Sequence, residues 1–166
     1  SFPALKFPDQ QHDVLSNGTR IILAERHDIP VVQISYEFKR GSATDPADKA
    51  GIAGFTMGLL DEGAGERDSL AFTDRAEALG AVLGTNTSKD DASAELSALK
   101  VNLDDSLALY ADMLRKPRFD AADIERVRGQ WIAGIKQAKA RPAALVQRVL
   151  PGFVYGADHP YALPGS

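Results

Sequence analysis

Cysteine is missing from the 166-residue sequence, and histidine is scarce. The lack of cysteine excludes disulfide bonds, thiol nucleophiles and cysteine-ligated zinc sites. The three histidines, His12, His27 and His159, show no ligand spacing of a structural zinc site, which needs four ligands. Both observations argue against thiol chemistry and against a structural zinc site. They leave open whether the chain works in the cytosol or in the periplasm.

Long apolar runs and runs of like charge are also missing. No segment approaches the roughly 20 consecutive apolar residues that cross a bilayer, and residues 1–13 show no signal-peptide pattern. The net charge is −4, and acidic and basic residues are mixed without any run of five like charges. Because a duplex binder clusters lysine and arginine to displace counterions, we expect no membrane-spanning segment and no nucleic-acid partner.

The composition is that of a globular domain. Apolar residues make up 44% and charged residues 25% of the chain, which suffices for a core that offsets the entropy of ordering. We predict a single domain over residues 1–166, since one core is usually built from roughly 100 to 200 residues. The chain lacks an initiating methionine and ends in a glycine- and proline-rich stretch, residues 152–166, so we expect a truncated part of a longer fold.

Five strands are predicted from a hairpin pattern and from alternation. Residues 12–15 and 19–24 flank Asn17-Gly18, a preferred pair for a two-residue hairpin turn. Residues 31–38 alternate between polar and apolar side chains, which predicts a third strand with one apolar face. A further strand pair, residues 81–87 and 92–99, surrounds a turn at residues 89–91. The predicted buried side of its second strand is Ala92, Ala94, Leu96 and Ala98.

Five helices are predicted from apolar spacing, caps and prolines. They cover residues 49–60, 70–79, 104–115, 121–140 and 143–153. Asp48, Asp68 and Asp120 are the predicted N-caps of the first, second and fourth helices, and Pro151 is expected to kink or end the last. The predicted buried faces of the first four helices are, in order, Ile52, Phe55, Leu59 and Leu60; Leu70, Ala71, Ala78 and Leu79, with Phe72 beside them; Leu103, Leu107, Tyr110, Ala111 and Leu114; and Ile124, Val127, Trp131 and Ile135.

The order of these elements indicates the fold class. Strands are followed by two helices, then by strands, then by two or three helices, and no helix links successive strands one by one. This order favours an α+β fold, with an antiparallel sheet packed with helices, over a doubly wound parallel sheet.

Five phrases in the same order along the chain carry a family resemblance. They are residues 15–20 (LSNGTR) with 27–32 (HDIPVV), then 40–46 (RGSATDP), 50–53 (AGIA), 114–119 (LRKPRF) and 159–161 (HPY). With these phrases the sequence resembles the M16 metallopeptidases, the family of pitrilysin and the mitochondrial processing peptidase, over essentially its whole length. The resemblance implies the LuxS/M16 metallopeptidase-like fold.

The zinc motif of that family is degenerate here. Active members carry H-x-x-E-H directly after the Gly-Ile/Leu-Ala phrase, and the matching positions in this sequence are Gly54, Met57 and Gly58. The third zinc ligand of such enzymes, a glutamate, aligns with Gly134. Helical residues four apart share one face, so the two histidines hold one zinc ion while the glutamate of the motif activates the bound water. Glycine and methionine offer no nitrogen or oxygen ligand, so the resemblance implies no zinc, no other cofactor and no catalytic residue in this chain.

The resemblance narrows to non-catalytic members of the family. Residues 55–65 (FTMGLLDEGAG) are similar to the second half of tandem bacterial M16 proteins and to the inactive subunit of bacterial M16 heterodimers. Such a half is expected to face an active M16 half, which alone holds zinc, and to enclose a chamber for an unfolded peptide. The chain alone is expected to have no activity. An Arg-Tyr pair that contacts substrate in some members would lie beyond Ser166, and a periplasmic location is favoured by the resemblance alone.

Two other functions stay open at this stage. A stand-alone peptide-binding or protein-binding module of the same fold is the main alternative. A free-standing enzyme would need other residues, and adjacent carboxylates such as Asp61 with Glu62 or Asp90 with Asp91 are the candidates. Adjacent carboxylates are more commonly solvated, and neither pair lies in a calcium-binding loop pattern.

Structural roles are favoured for the remaining polar and small residues. Met57 is typical of core packing, and Gly54 with Gly58 is typical of close helix packing. His159 is expected to orient backbone. The arginines expected to be helix-face charges or partner contacts are Arg126, Arg128, Arg141 and Arg148.

Overall fold

A computed structural model describes residues 8–163, and these residues divide into two units, residues 8–31 and residues 32–163. The single domain over residues 1–166 stays a prediction. The strands are β1 Gln10–Val14, β2 Arg20–Ala24, β3 Val31–Phe38, β4 Gly63–Ala64, β5 Arg67–Asp68, β6 Val82–Thr87 and β7 Ala92–Leu99. The helices are α1 Ile52–Met57, α2 Ser69–Leu79, α3 Leu103–Arg115, α4 Ala121–Lys139 and α5 Pro142–Tyr155.

The first unit contains the predicted Asn-Gly hairpin. Strands β1 and β2 pair antiparallel, with Val14 opposite Arg20. The Gly18 amide donates to the Leu15 carbonyl at 2.8 Å, and the Asn17 side chain accepts from the Thr19 amide at 3.0 Å. These contacts close the turn locally, which is why the hairpin could be predicted from the dipeptide.

The second unit is an α+β assembly, which confirms the predicted fold class. Its three-stranded sheet has the order β3–β7–β6, and β6 and β7 pair antiparallel from Val82 opposite Ser97 to Thr87 opposite Ala92. The two-residue strands β4 and β5 form a second, small antiparallel pair. Helices α1, α2 and α3 contact the strands of this unit.

The hydrophobic core lies between the inner face of β7 and helices α2 and α3. The predicted side of β7 is buried, and its three alanines leave room for α3 to approach. Tyr110 of α3 reaches across this space and donates its hydroxyl to the Ala94 carbonyl at 2.7 Å. The largest buried side chains of the core include Leu96 and Met113, and each contributes roughly 1.5–3 kcal/mol through its burial.

Helix α1 is shorter than predicted. It begins at Ile52 rather than at residue 49, because Gly51 adopts a left-handed conformation with φ of 94° that interrupts the preceding short turn of 3-10 helix. The predicted N-cap Asp48 was therefore wrong. Asp45 takes that role, since its carboxylate accepts from the amides of Gly51 at 2.8 Å and Ala53 at 3.2 Å.

The buried faces of α2 and α3 differ from the predicted ones by a small rotation. Asp68 caps α2 as predicted and accepts from the Ala71 amide at 2.9 Å, but Leu70 is 71% exposed while Phe72 and Leu79 are buried. Spacing along the sequence shows which residues share a face of the helix, but it does not give the angle at which the helix meets the sheet. The predicted burial of Leu70 was wrong for this reason. On α3 the buried residues are Ser106, Leu109, Tyr110 and Met113, and the predicted Leu103, Leu107 and Leu114 pack at the edge of the core.

Helix α4 follows its predicted stripe, with Val127 buried and Ile124, Trp131 and Ile135 half-buried. Asp120 occupies the N-cap position without a side-chain cap, since its carboxylate accepts from Arg118 at 2.7 Å instead.

Helix α5 does not end at Pro151 but runs on to Tyr155. The proline lacks an amide and removes one helical hydrogen bond, yet the amide of Gly156 bonds the carbonyl of Gly152 at 3.1 Å and completes the last turn. One side of α5 presents exposed apolar residues, namely Leu145, Val146, Val149, Leu150, Phe153 and Val154. Within residues 8–163, no helix combines the length and the apolar character that crossing a bilayer requires.

Candidate functional site

The degenerate motif positions lie at the end of α1. Gly54 is inside the helix, Met57 is its last residue, and Gly58 follows as the C-cap. The amide of Gly58 donates to the carbonyl of Gly54 at 2.9 Å, so these two positions lie one turn apart on the same face. Met57 is half-buried and packs against the core, and its carbonyl accepts from the Thr85 hydroxyl of β6 at 2.9 Å. The structure thus shows Met57 in a packing role.

Helix α4 lies beside α1 through an aromatic pair. The rings of Phe55 and Trp131 meet edge to face, with centroids 5.2 Å apart and planes inclined by 81°. Gly134 lies one turn after Trp131 on α4, is exposed, and has no atom within 4 Å of the position that a Cβ would take. The match of Gly134 with the third ligand position stays a prediction.

A charged cluster joins the segment after α1 to helices α2 and α4. Arg126 of α4 forms ion pairs with Glu62 and, at 3.1 Å, with Asp123. Glu62 also accepts from the Ser69 hydroxyl at 2.8 Å. Glu62 therefore acts as a structural link rather than as half of an acid/base pair. Arg128 pairs with Glu125 on its own helix, which fits a helix-face charge.

Asp61 lies next to this cluster, and its environment disfavours its charge. Burial raises the pKa of the Asp61 carboxyl above its usual value of 3.8, a hydrogen bond with its own backbone lowers it, and the negative charge of Glu62 raises it further. Because the folded state binds this proton more tightly than the unfolded state, the resulting stabilisation is complete below pH 3.8 and is lost as the pH rises through the folded-state pKa.

Replacing Asp61 with asparagine should therefore stabilise the protein at neutral pH. We expect Asp61→Asn to raise the melting temperature by about 1 to 3 °C at pH 7.5, with the difference disappearing towards pH 3. Thermal unfolding followed by circular dichroism across this pH range measures the effect. Asp74→Asn, at an exposed carboxylate of α2, is the matched control. A lower melting temperature of Asp61→Asn at pH 7.5 would show that the carboxylate stabilises the fold.

The loop around His159 is a packing feature. The Nδ1 atom of His159 accepts from the Tyr161 amide at 3.1 Å, and its ring lies 5.3 Å from Tyr155 and 5.2 Å from Tyr161. The Tyr161 hydroxyl donates to Asp90 at 2.5 Å, and Lys89 donates to the Leu163 carbonyl at 2.6 Å. His159 thus orients backbone, as expected, and Asp90 anchors this loop.

A pocket beside α1 was not predicted from the sequence. It has a volume of about 350 Å³. Arg40 and Thr56 supply its polar lining, and the apolar lining is Phe38, Ile52, Ala53, Met57 and Ala92. The alternation along β3 could have indicated that Arg40 lies on the same side as Phe38. Arg40 follows the apolar residues Val32, Ile34, Tyr36 and Phe38 at the same spacing of two.

The pocket walls are held by close backbone contacts. The amides of Ser42 and Ala43, directly after Arg40-Gly41, donate to the carbonyls of Ser88 and Lys89 at 3.0 and 2.8 Å. A Cβ at Gly41 would lie 2.6 Å from the Lys89 carbonyl group and from the Asp91 amide nitrogen, so only glycine fits there. On the other side, the Asp45 carboxylate holds the start of α1.

Comparison with known proteins assigns the family. The model of the insulinase family, peptidase family M16, matches residues 20–159. The chain belongs to peptidase family M16. Two curated proteins are similar to most of this chain. The non-peptidase homolog YmxG of Helicobacter pylori is 26% identical over 120 residues, which is 72% of this chain and 28% of that protein. The mitochondrial cytochrome b-c1 complex subunit 1 of Caenorhabditis elegans is 26% identical over 121 residues, which is 73% of this chain and 26% of the subunit.

One solved structure agrees with this assignment, and a second shares the fold. The crystal structure of a peptidase M16 inactive domain from Pseudomonas fluorescens has a TM-score of 0.90 and 30% identity, and covers 95% of this chain and 38% of that one. A protease from Helicobacter pylori has the same fold, with a TM-score of 0.75 and 21% identity over 96% of this chain and 39% of that one. The chain thus spans about a quarter of the length of its curated relatives and under two fifths of these solved chains.

The M16 zinc does not fit the residues of this chain. Gly54 and Gly58 have no side-chain donor atoms, and the Met57 thioether cannot act as the general base. Between residues 8 and 163, no group of three or more His, Cys, Asp or Glu side chains is arranged to hold a metal ion. The relatives described as non-peptidase and as inactive agree with the expectation that this chain holds no zinc, and they support a non-catalytic role within the M16 family.

Proposed function

We propose that this chain is part of a non-catalytic M16 half that assembles with an active M16 half. In this proposal the active half holds the zinc and performs proteolysis, and this chain forms part of the wall of the chamber that holds the peptide. The observation that carries the proposal is the state of α1, whose packing on Trp131 and on Thr85 is intact while the zinc-binding residue types are replaced. The helix thus serves as an architectural element although its motif positions carry no zinc ligand.

The known relatives support this proposal. One is a solved inactive domain of the family and another is a non-peptidase homolog. A third is a subunit of a mitochondrial complex, which is consistent with the assembly role that we propose for this chain. The periplasm is the location that we propose, on the family resemblance alone.

A stand-alone module that binds peptides or proteins is the second candidate function. The apolar pocket beside Met57 favours it, since a pocket with one cation at its rim can bind a peptide without a partner half. The two functions differ in whether an active M16 protein binds this chain and needs it for cleavage.

The chain alone should neither bind stoichiometric zinc nor cleave peptides, because no side chain at the motif can hold the metal or accept the proton from water. The test is metal analysis after dialysis against micromolar zinc, together with a quenched-fluorescence assay on a casein-derived peptide. Mixing the chain with an M16 protein that carries H-x-x-E-H and is encoded in the same or the adjacent gene should give a stable complex and chelator-sensitive cleavage.

Three outcomes separate the possibilities. One tightly held zinc per chain, or chelator-sensitive turnover by the homogeneous chain, would overturn the non-catalytic assignment. Peptide binding without complex formation, and unchanged cleavage by the active protein alone, would instead favour the stand-alone module.

A further inference from the structure

We propose that the pocket beside Met57 binds one apolar side chain of an extended peptide and that Arg40 pairs with a carboxylate next to that side chain. This inference rests on the proposed function, since it assigns a peptide contact to the non-catalytic half. It names the preferred ligand as a segment in which a large apolar residue adjoins aspartate or glutamate.

The size and lining of the pocket set the apolar part of the ligand. A volume of about 350 Å³ lies at the lower end of the range for ligand sites, roughly 300–1,000 Å³. Phe38 and Ile52 are partly exposed at 36% and 43%, so a side chain seated between them removes apolar surface from water on both partners. The pocket therefore has room for an apolar side chain as large as phenylalanine together with adjoining peptide atoms.

The charge at the rim sets the polar part of the ligand. Arg40 is exposed and is the one charged residue of the lining. Within the described part of the chain it forms no ion pair, whereas the helix-face arginines Arg126 and Arg128 do. A guanidinium binds a carboxylate through paired hydrogen bonds, and this complementarity selects an acidic neighbour over a basic one.

The backbone around the pocket is already in place before a ligand arrives. The contact of Gly41 with Lys89 and Asp91 fixes the residue that follows Arg40, and Asp45 fixes the amides of Gly51 and Ala53 on either side of Ile52. Because little backbone entropy is lost on binding, even a small contact can contribute measurably to affinity.

An unfolded peptide suits this site better than a folded partner. The pocket accepts one side chain and one charge, which is far below the area of a stable interface between folded proteins, about 1,200–2,000 Å². A contact of this size holds a short segment weakly, which fits one of several contacts along an extended peptide.

The test is binding of short labelled peptides to the purified chain, followed by fluorescence anisotropy. The probe is fluorescein-labelled Gly-Ser-Phe-Asp-Ser-Gly, compared with versions in which lysine replaces aspartate or serine replaces phenylalanine. We expect the original probe to bind about five- to tenfold more tightly than either version. Arg40→Gln should remove the preference for aspartate over lysine, and Thr56→Trp should weaken binding of the original probe by filling the mouth of the pocket.

Arg115→Gln is the matched control, since Arg115 is an exposed arginine at the end of α3, outside the pocket lining. It should leave both preferences unchanged, and circular dichroism should show all variants folded. Equal losses for Arg40→Gln and Arg115→Gln, or equal binding of the aspartate and lysine probes by the unaltered chain, would overturn the proposal. Peptide binding is measured without proteolysis, so this test can contradict the proposed pocket while the non-catalytic function still holds. Zinc-dependent turnover by the chain alone would instead contradict the non-catalytic function.

Discussion

Replacing Gly41 with alanine will lower the free energy of unfolding by about 3 kcal/mol, one of the two largest effects that we expect. The added Cβ would lie 2.6 Å from backbone atoms of Lys89 and Asp91, and a backbone cannot move aside as a flexible side chain can. The two segments must separate, which breaks the hydrogen bonds from Ser42 and Ala43 to the turn between β6 and β7. Thermal unfolding should show a melting temperature about 6 to 12 °C lower.

Gly84→Ala is the control for this variant. Gly84 lies in β6, and nothing lies within 4 Å of the position of an added Cβ. We expect unchanged or slightly higher stability, because alanine restricts the unfolded chain more than glycine does. If Gly41→Ala and Gly84→Ala melt at the same temperature, the close approach at Gly41 is not required for the fold.

Four substitutions together should create zinc affinity in a chain that has none. The variant carries Gly54→His, Met57→Glu, Gly58→His and Gly134→Glu, which supplies three ligands and a general base. The structure has room for two of the new side chains, since a Cβ at Gly58 meets only backbone oxygen atoms at 3.4 and 3.8 Å and a Cβ at Gly134 meets nothing. Replacing helical glycines also gains about 0.5–1 kcal/mol of helix propensity at each site. We expect one zinc per chain, with a dissociation constant in the micromolar range or tighter by calorimetry.

The control for this variant moves the third ligand along α4. Gly129→Glu, combined with the same three changes in and after α1, places the carboxylate at an equally open glycine. At 3.6 residues per turn, this position is about 160° around the helix from Trp131, the residue that contacts α1. Zinc binding should be clearly weaker than with Gly134→Glu. Equal binding by the two folded variants would show that Gly134 is not the third ligand position.

The parts of the fold that depend on local interactions could be predicted from the sequence. The hairpin at Asn17-Gly18, the cap at Asp68 and the alternation of β7 each depend on residues close together along the chain. The start of α1 could not be predicted, because Asp45 caps it across an intervening turn of 3-10 helix. The rotation of α2 that exposes Leu70 depends on how the helix meets the sheet, and spacing along one helix does not contain that angle.

Some features of the candidate site could also be predicted from the sequence, and others depend on contacts that form only on folding. The loss of zinc ligands at Gly54, Met57 and Gly58 is visible from residue types at a fixed spacing. The pocket beside them joins Phe38 and Arg40 with residues of α1 and with Ala92, and these segments meet only after folding. The contact of Phe55 with Trp131 likewise links positions far apart in the sequence, so the packing that preserves α1 could not be predicted.

The residues at the degenerate motif, Gly54, Met57 and Gly58, also determine how easily this chain could regain a zinc site. Restoring either histidine at Gly54 or Gly58, or the glutamate at Met57, needs at least two base changes in the codon. No single step among them binds metal on its own, so selection for peptide cleavage has nothing to act on until several are present. Selection on Phe55 and on the other packing residues continues throughout, because any loss there reduces stability at once. Packing by Phe55 and Met57 therefore fixes the helix in place, and a return to zinc chemistry requires several changes at once.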